Sequence, residues 1–179
     1  MQKDAPNPPQ PLDEETLAFA LRVFQHARTG RAQELAELLD AGLPPNLRND
    51  KGDTLLMLAS YHGHADAARR LLEHGADPEL ANDRGQTPLA AAAYQGDTAM
   101  VRLLLELGAD VNGSGRNGRT ALMTAAMFNR TEIVALLLDR GADIQARDAD
   151  GLTAEIAARI MGAPDTPAQL ARAASPPSA

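Results

Sequence analysis

The sequence predicts an all-α solenoid: short helix–turn–helix units stacked on one another and joined by β-turn or hairpin loops. The first observation behind this is periodic. Gly52, Gly85, Gly118 and Gly151 stand 33 residues apart, as do Thr54, Thr87, Thr120 and Thr153, and Ala59, Ala92, Ala125 and Ala158. Gly75, Gly108 and Gly141 keep the same period and each opens Gly-Ala-Asp, with Leu71-Leu72, Leu104-Leu105 and Leu137-Leu138 in step. So many columns in phase point to stacked repeats. The second observation is turn and cap chemistry at fixed places in each period. The third is the alanine column, which lets inner helices approach closely where a larger side chain would hold them apart.

One period, 82–114, explains the rest. Asn82-Asp83-Arg84-Gly85 is turn chemistry, with Gly available for a positive φ. Thr87 can cap the next helix through its hydroxyl, and Pro88 suits a first helical position. Leu89, Ala92 and Ala93 recur at helical spacing, so 88–94 reads as a short helix that Gly96 ends. Asp97 or Thr98 can cap a second helix with Met100, Val101, Leu104 and Leu105 as its apolar stripe. Gly108 stands where a C-terminal cap needs a left-handed residue, and Asp110 can tie down the following turn. A single hairpin leaves one face unburied, so its stability must come from neighbours.

Taken in order, residues 1–12 carry four prolines and almost nothing apolar, and read as a disordered Pro-rich tail. The repeat domain spans 13–162, divided at about 13–48, 49–81, 82–114, 115–147 and a C-terminal cap at 148–162. Gly30 and Gly42 extend the register into the first unit. There Asp13 is the expected N-cap, with Glu14 and Glu15 in the first turn. Leu17, Leu21 and Phe24 form its expected apolar stripe, with Arg22, Gln25 and Arg28 outward, and a second helix follows at 32–41 with Leu35, Leu38 and Leu39. The last unit opens at Gly151-Leu152-Thr153 and is expected to be a half-repeat ending near Gly162, with polar Glu155 in a leucine column. Residues 163–179 read as a Pro/Ala-rich tail in which Leu170 can anchor a short helix at 167–174.

Composition narrows the chemistry. The 179 residues are 44% hydrophobic and 23% charged but only 3% aromatic, so the core must be Leu, Ala, Val and Met. The lack of cysteine excludes a disulfide framework, a thiolate zinc site and a Cys nucleophile. A net charge of −7 argues against non-specific nucleic-acid binding. No stretch approaches the roughly 18 apolar residues of a membrane span, and the first residues carry no secretory pattern. A cytoplasmic protein, monomeric when free, is the resulting expectation. Its alanine-rich, Arg-over-Lys composition suggests a GC-rich, bacterial genome.

The motifs Gly-x-Thr-Pro-Leu-x-x-Ala at 85–92 and Leu-Leu-Glu-x-Gly-Ala-Asp at 71–77 and 104–110 resemble the ankyrin repeat family. Weaker copies read Gly118-Arg119-Thr120-Ala121-Leu122 and Gly52-Asp53-Thr54-Leu55-Leu56. The resemblance covers about residues 13–162 and implies an ankyrin-repeat solenoid. The family often carries His after Thr-Pro-Leu. Here that column holds Met57, Ala90, Met123 and Ile156, which removes the usual source of inter-repeat hydrogen bonding at the turns.

Catalytic, cofactor and metal sites find little support. Gly113-Ser-Gly115-Arg-Asn-Gly118 matches G-x-G-x-x-G, but a helix precedes it where a dinucleotide fingerprint needs a strand. His62-x-His64 lacks the third and fourth ligands a zinc site requires. Asp148-x-Asp150-Gly151 has its Gly too early for a calcium loop and no matching Glu. No serine has a nucleophile-elbow context. The expectation is therefore no enzyme activity, no cofactor and no metal.

Positions that escape the repeat carry the expected function. By resemblance, turn tips and inner helices line a concave partner-binding surface. Its tip columns are Asp50, Lys51 and Asp53; Asp83, Arg84 and Gln86; Arg116, Asn117 and Arg119. Its inner-helix columns are Tyr61-His62, Tyr94-Gln95 and Met127-Phe128. The rings at 61, 94 and 128 either anchor a partner or fill space between helices. Asn129 replaces the recurrent glycine beside Phe128, which predicts altered local geometry there. Charge is also graded, from −3 over 50–82 through −2 over 83–115 to +1 over 116–148. Such a gradient orients a partner. The function expected is a protein-binding module with a partner protein in this groove, or a regulatory, inhibitory or protective accessory subunit of an enzyme using the same surface.

Overall fold

The computed structural model describes residues 13–175. The Pro-rich segment 1–12 lies outside them. Ten helices follow in order: α1 (Glu14–Thr29), α2 (Ala32–Asp40), α3 (Leu55–Tyr61), α4 (Ala65–Glu73), α5 (Pro88–Gln95), α6 (Thr98–Glu106), α7 (Ala121–Met127), α8 (Thr131–Asp139), α9 (Ala154–Ile160) and α10 (Thr166–Ala174). They form five hairpins. Odd-numbered helices pack in series, α1 on α3, α3 on α5, α5 on α7 and α7 on α9, while even-numbered ones form an outer row. Extended pairing among the described residues is limited to isolated bridges, Arg48 with Thr54 and Ser114 with Thr120.

Thr54, Thr87, Thr120 and Thr153 cap the inner helices: each hydroxyl oxygen accepts from the N–H three residues on, at 3.0, 3.2, 3.3 and 3.4 Å. This satisfies one of the orphan donors at each helix start. Ala59, Ala92, Ala125 and Ala158 are fully buried where inner helices meet, and Leu71, Leu104 and Leu137 are fully buried beneath the outer row. The core is one continuous cluster rather than five separate ones, as expected of units that bury their faces only against neighbours.

The turns are bonded despite the missing histidine column. Asp83 N–H donates to the Lys51 carbonyl at 3.1 Å, Ala149 N–H donates to Asn117 O at 2.8 Å, and Asn117 Nδ2 donates to Arg84 O at 3.1 Å. Inside the turns, Asn49, Asn82 and Asp148 each accept two backbone N–H groups through Oδ1, bracing the tip. Asp148, the first residue of the calcium-like sequence, is thus a turn brace. Opposite the tips, Asn46, Glu79 and Asn112 each accept the backbone N–H of the Asp in the next unit's Gly-Ala-Asp at 2.8 Å.

Two expectations are corrected at the ends. Leu17 and Leu21 are exposed, and the buried face of α1 is Val23, Phe24 and Ala27. The cause is length: α3 has seven residues and α1 sixteen, so the first turns of α1 overhang their neighbour. At the other end the terminal unit is no half-repeat, and 163–174 is no simple tail. Helix α10 packs on α9, α7 and α8, with Leu170 fully buried. Thr166 Oγ1 donates to Ala126 O at 2.6 Å, and Gln169 Nε2 donates to Thr131 O at 2.9 Å.

Candidate partner-binding groove

Each inner helix begins directly after the tip of its own unit, at Thr54, Thr87 and Thr120, and the tips and the helix face running to the last turn line a trough. Tyr61 ends α3, Tyr94 lies in the last turn of α5, and Phe128 is the C-cap of α7. Their rings run in one line. Tyr61 and Tyr94 lie nearly parallel with centroids 6.2 Å apart, and Tyr94 meets Phe128 edge-on at 4.6 Å. Both geometries suit the aromatic quadrupole. Tyr61 is 38% exposed and Phe128 37%, with Tyr94 half-buried between them.

Asn129 preserves this line. Its φ of +54° is left-handed like that of Gly30, Gly63, Gly96 and Gly162 in the same column, so the altered geometry expected beside Phe128 does not occur. Asn is among the few residues that tolerate this region.

Two pockets of about 230 Å³ each open under the ladder. The first is lined by Arg84, Gly85, Gln86, Ala90, Tyr94, Asn117, Arg119, Thr124, Met127 and Phe128. The second is lined by Arg28, Lys51, Asp53, Met57, Leu58, Tyr61, His62, Asn82, Arg84 and Gln86. Arg84 and Gln86 are shared, so the two form one trough lined from four units, with Arg28 contributed by the first. Burial pushes the His62 imidazole below its ordinary value, and charge repulsion from the neighbouring His64 and Arg28 positions acts in the same direction.

The groove gathers eleven of the fifteen residues expected for it: Lys51, Asp53, Tyr61, His62, Arg84, Gln86, Tyr94, Asn117, Arg119, Met127 and Phe128. The others lie elsewhere. Asp83 and Arg116 line a separate hollow with Arg48 and Ser114. Asp50 is exposed at its tip. Gln95 reaches along the stack, donating from Nε2 to Tyr61 O at 3.1 Å. Asp53 has a structural partner as well, accepting from Asn82 Nδ2 at 2.8 Å.

Arg28 was missed, although it stands one period before Tyr61. So were Ile156 and Ile160 on α9 and Met161 at its C-cap, all exposed. Ile160 and Met161 stand one period beyond Met127 and Phe128, so the same register that located the rings marks the apolar residues that follow them.

The comparisons with known proteins agree with this architecture. A family model described as ankyrin repeats (three copies) matches residues 23–114, 71–148 and 112–173. The chain belongs to the ankyrin repeat family. An ankyrin repeat protein of Pseudomonas aeruginosa is 61% identical over 66 residues, which is 37% of each chain. The match therefore spans just over a third of that relative. Among the described residues no helix is long and apolar enough to cross a membrane.

Proposed function

We propose that this chain is a non-catalytic protein-binding module whose partner lies along the trough between the inner helices and the turn tips. Ankyrin repeats in general are protein–protein interaction modules. The observation that carries the reading for this chain is the aromatic ladder, continuous over three units yet still open to solvent. A core ring would be covered; these rings keep a face for a partner. Apolar and aromatic anchors at the centre of an interface are often worth roughly 2 kcal/mol or more each on truncation. A trough held by stacked helices is already shaped, so little ordering entropy is lost on binding. The Arg-over-Lys composition and the Pseudomonas relative support a bacterial source.

The test is capture of the natural partner from the source organism by tagged chain. Tyr61→Ala combined with Tyr94→Ala is expected to abolish capture while leaving helical circular dichroism unchanged. Undiminished capture by the folded double variant displaces the site from this groove.

A further inference from the structure

The groove is cationic in an acidic protein, and the third tip departs from its siblings in two columns at once. Among groove-lining residues, Arg28, Lys51, Arg84 and Arg119 face a single carboxylate, Asp53, which already accepts from Asn82. The pocket beside Phe128 has Arg84 and Arg119 and no carboxylate in its lining. At the third tip Gly115 stands where Asn49, Asn82 and Asp148 brace the other turns, and Arg119 stands where Asp53 and Gln86 supply acceptors. The Arg119 backbone N–H donates to Asn117 Oδ1 at 3.0 Å, but its guanidinium has no side-chain acceptor at the 115 position of its own turn. Its Nε is buried with no hydrogen-bond partner. The Asp148 Oδ2 lies 3.6 Å from the other end of the guanidinium, while Asp148 Oδ1 is engaged with its own turn. A buried donor without an acceptor is rare in native proteins and calls for an explanation.

Resting on the protein-binding reading above, we infer that the partner presents an acidic segment. One of its carboxylates sits between Arg84 and Arg119, and an adjacent apolar side chain lies against Tyr94, Met127 and Phe128. The Arg119 side chain is partly exposed, so a carboxylate would meet the accessible part of its guanidinium with charge-assisted hydrogen bonds, the stronger kind. The surrounding excess of cations would steer a negatively charged chain toward a groove that the protein's overall charge alone would repel.

A random 12-residue peptide library displayed on phage, selected on the whole chain, tests this. The expected binders carry net negative charge beside an aromatic or aliphatic residue. As synthetic peptides they should lose at least tenfold in affinity on Arg84→Glu and on Arg119→Gln. They should be unchanged by Arg102→Glu, a charge change equal to that of Arg84→Glu and larger than that of Arg119→Gln, on the exposed face of α6, and should weaken with added salt. Each variant is first checked for unchanged thermal unfolding, and Arg119→Gln avoids placing a second carboxylate beside Asp148. Neutral or basic binders that still depend on Tyr94 overturn the acidic partner and leave the groove standing. Acidic binders indifferent to Arg84 and Arg119 also overturn it. Failure to enrich peptides, or binders indifferent to Tyr94→Ala, removes the groove reading together with this one.

Discussion

Asn129 and Asp165 clasp each other across 36 residues: Asn129 Oδ1 accepts the Asp165 N–H at 3.0 Å, and Asn129 Nδ2 donates to Asp165 Oδ2 at 2.9 Å. The same Oδ1 accepts the Thr166 N–H at 3.1 Å. One residue thus ends α7 in a left-handed conformation and fixes the start of α10. Asn129→Ala is expected to cost about 2 kcal/mol or more, from lost hydrogen bonds and left-handed strain together. Asn129→Gly should lose only the clasp and cost less. Urea unfolding of the two variants checks the order; equal losses would mean that the backbone conformation contributes nothing.

Leu170 decides whether α10 is part of the stack. It is fully buried, and Leu170→Ala should destabilise the protein by about 2–5 kcal/mol. Hydrogen exchange should show faster amides in α10 first. Protection that is unchanged in the variant would return this segment to the status of an appendage.

Gly115 is constrained by close approach rather than by φ. A Cβ there would come within about 2.6 Å of the Gly85 Cα, which is backbone and cannot swing aside. Gly115→Ala should cost about 1–3 kcal/mol, the usual range for overpacking. Its thermal midpoint should fall below that of an alanine placed at the open Gly75, where a Cβ meets nothing but φ is +84°. A higher midpoint for Gly115→Ala would refute the contact.

The column of first-unit and last-unit residues shows what the sequence could yield and where it fell short. The 33-residue register located the caps, the alanine seam and the tyrosines because those depend on identity at fixed spacing. The same register carries Leu137 forward to Leu170 and Tyr61 back to Arg28, so α10 and the groove's first cation were legible too. The helix around Leu170 was expected at 167–174, but the surrounding Pro and Ala obscured its place as the packed outer helix of a complete unit, although Pro167 stands within its first turn, where proline is tolerated. The overhang of α1 was not legible, since no periodicity within one helix reports the length of its neighbour. Nor was the split of the tip residues between two faces, which follows from how each turn hydrogen-bonds to the next.

Glu79 gives a pH dependence of definite sign. Burial pushes its carboxyl above the usual range; the Asp110 N–H it accepts opposes this, and the charges of Asp110 and Asp77 add to it. A folded-state value above the unfolded one means that the folded state holds its proton more tightly. That contribution is full below the unfolded pKa and is lost as pH rises through the folded one. Glu79→Gln keeps an acceptor for Asp110 and removes the charge. It should raise the thermal midpoint slightly at pH 7, with the advantage shrinking toward pH 4. An advantage that grows on acidification would contradict the assignment.

The most direct measurement of the binding claim is site-specific photocrosslinking in cells of the source organism. A benzophenone side chain placed at Met127, inside the trough, should yield one discrete protein adduct, and the same group at Arg102 on the outer row should yield none. Adducts from Arg102 with none from Met127 would put the partner on the opposite face and contradict the account.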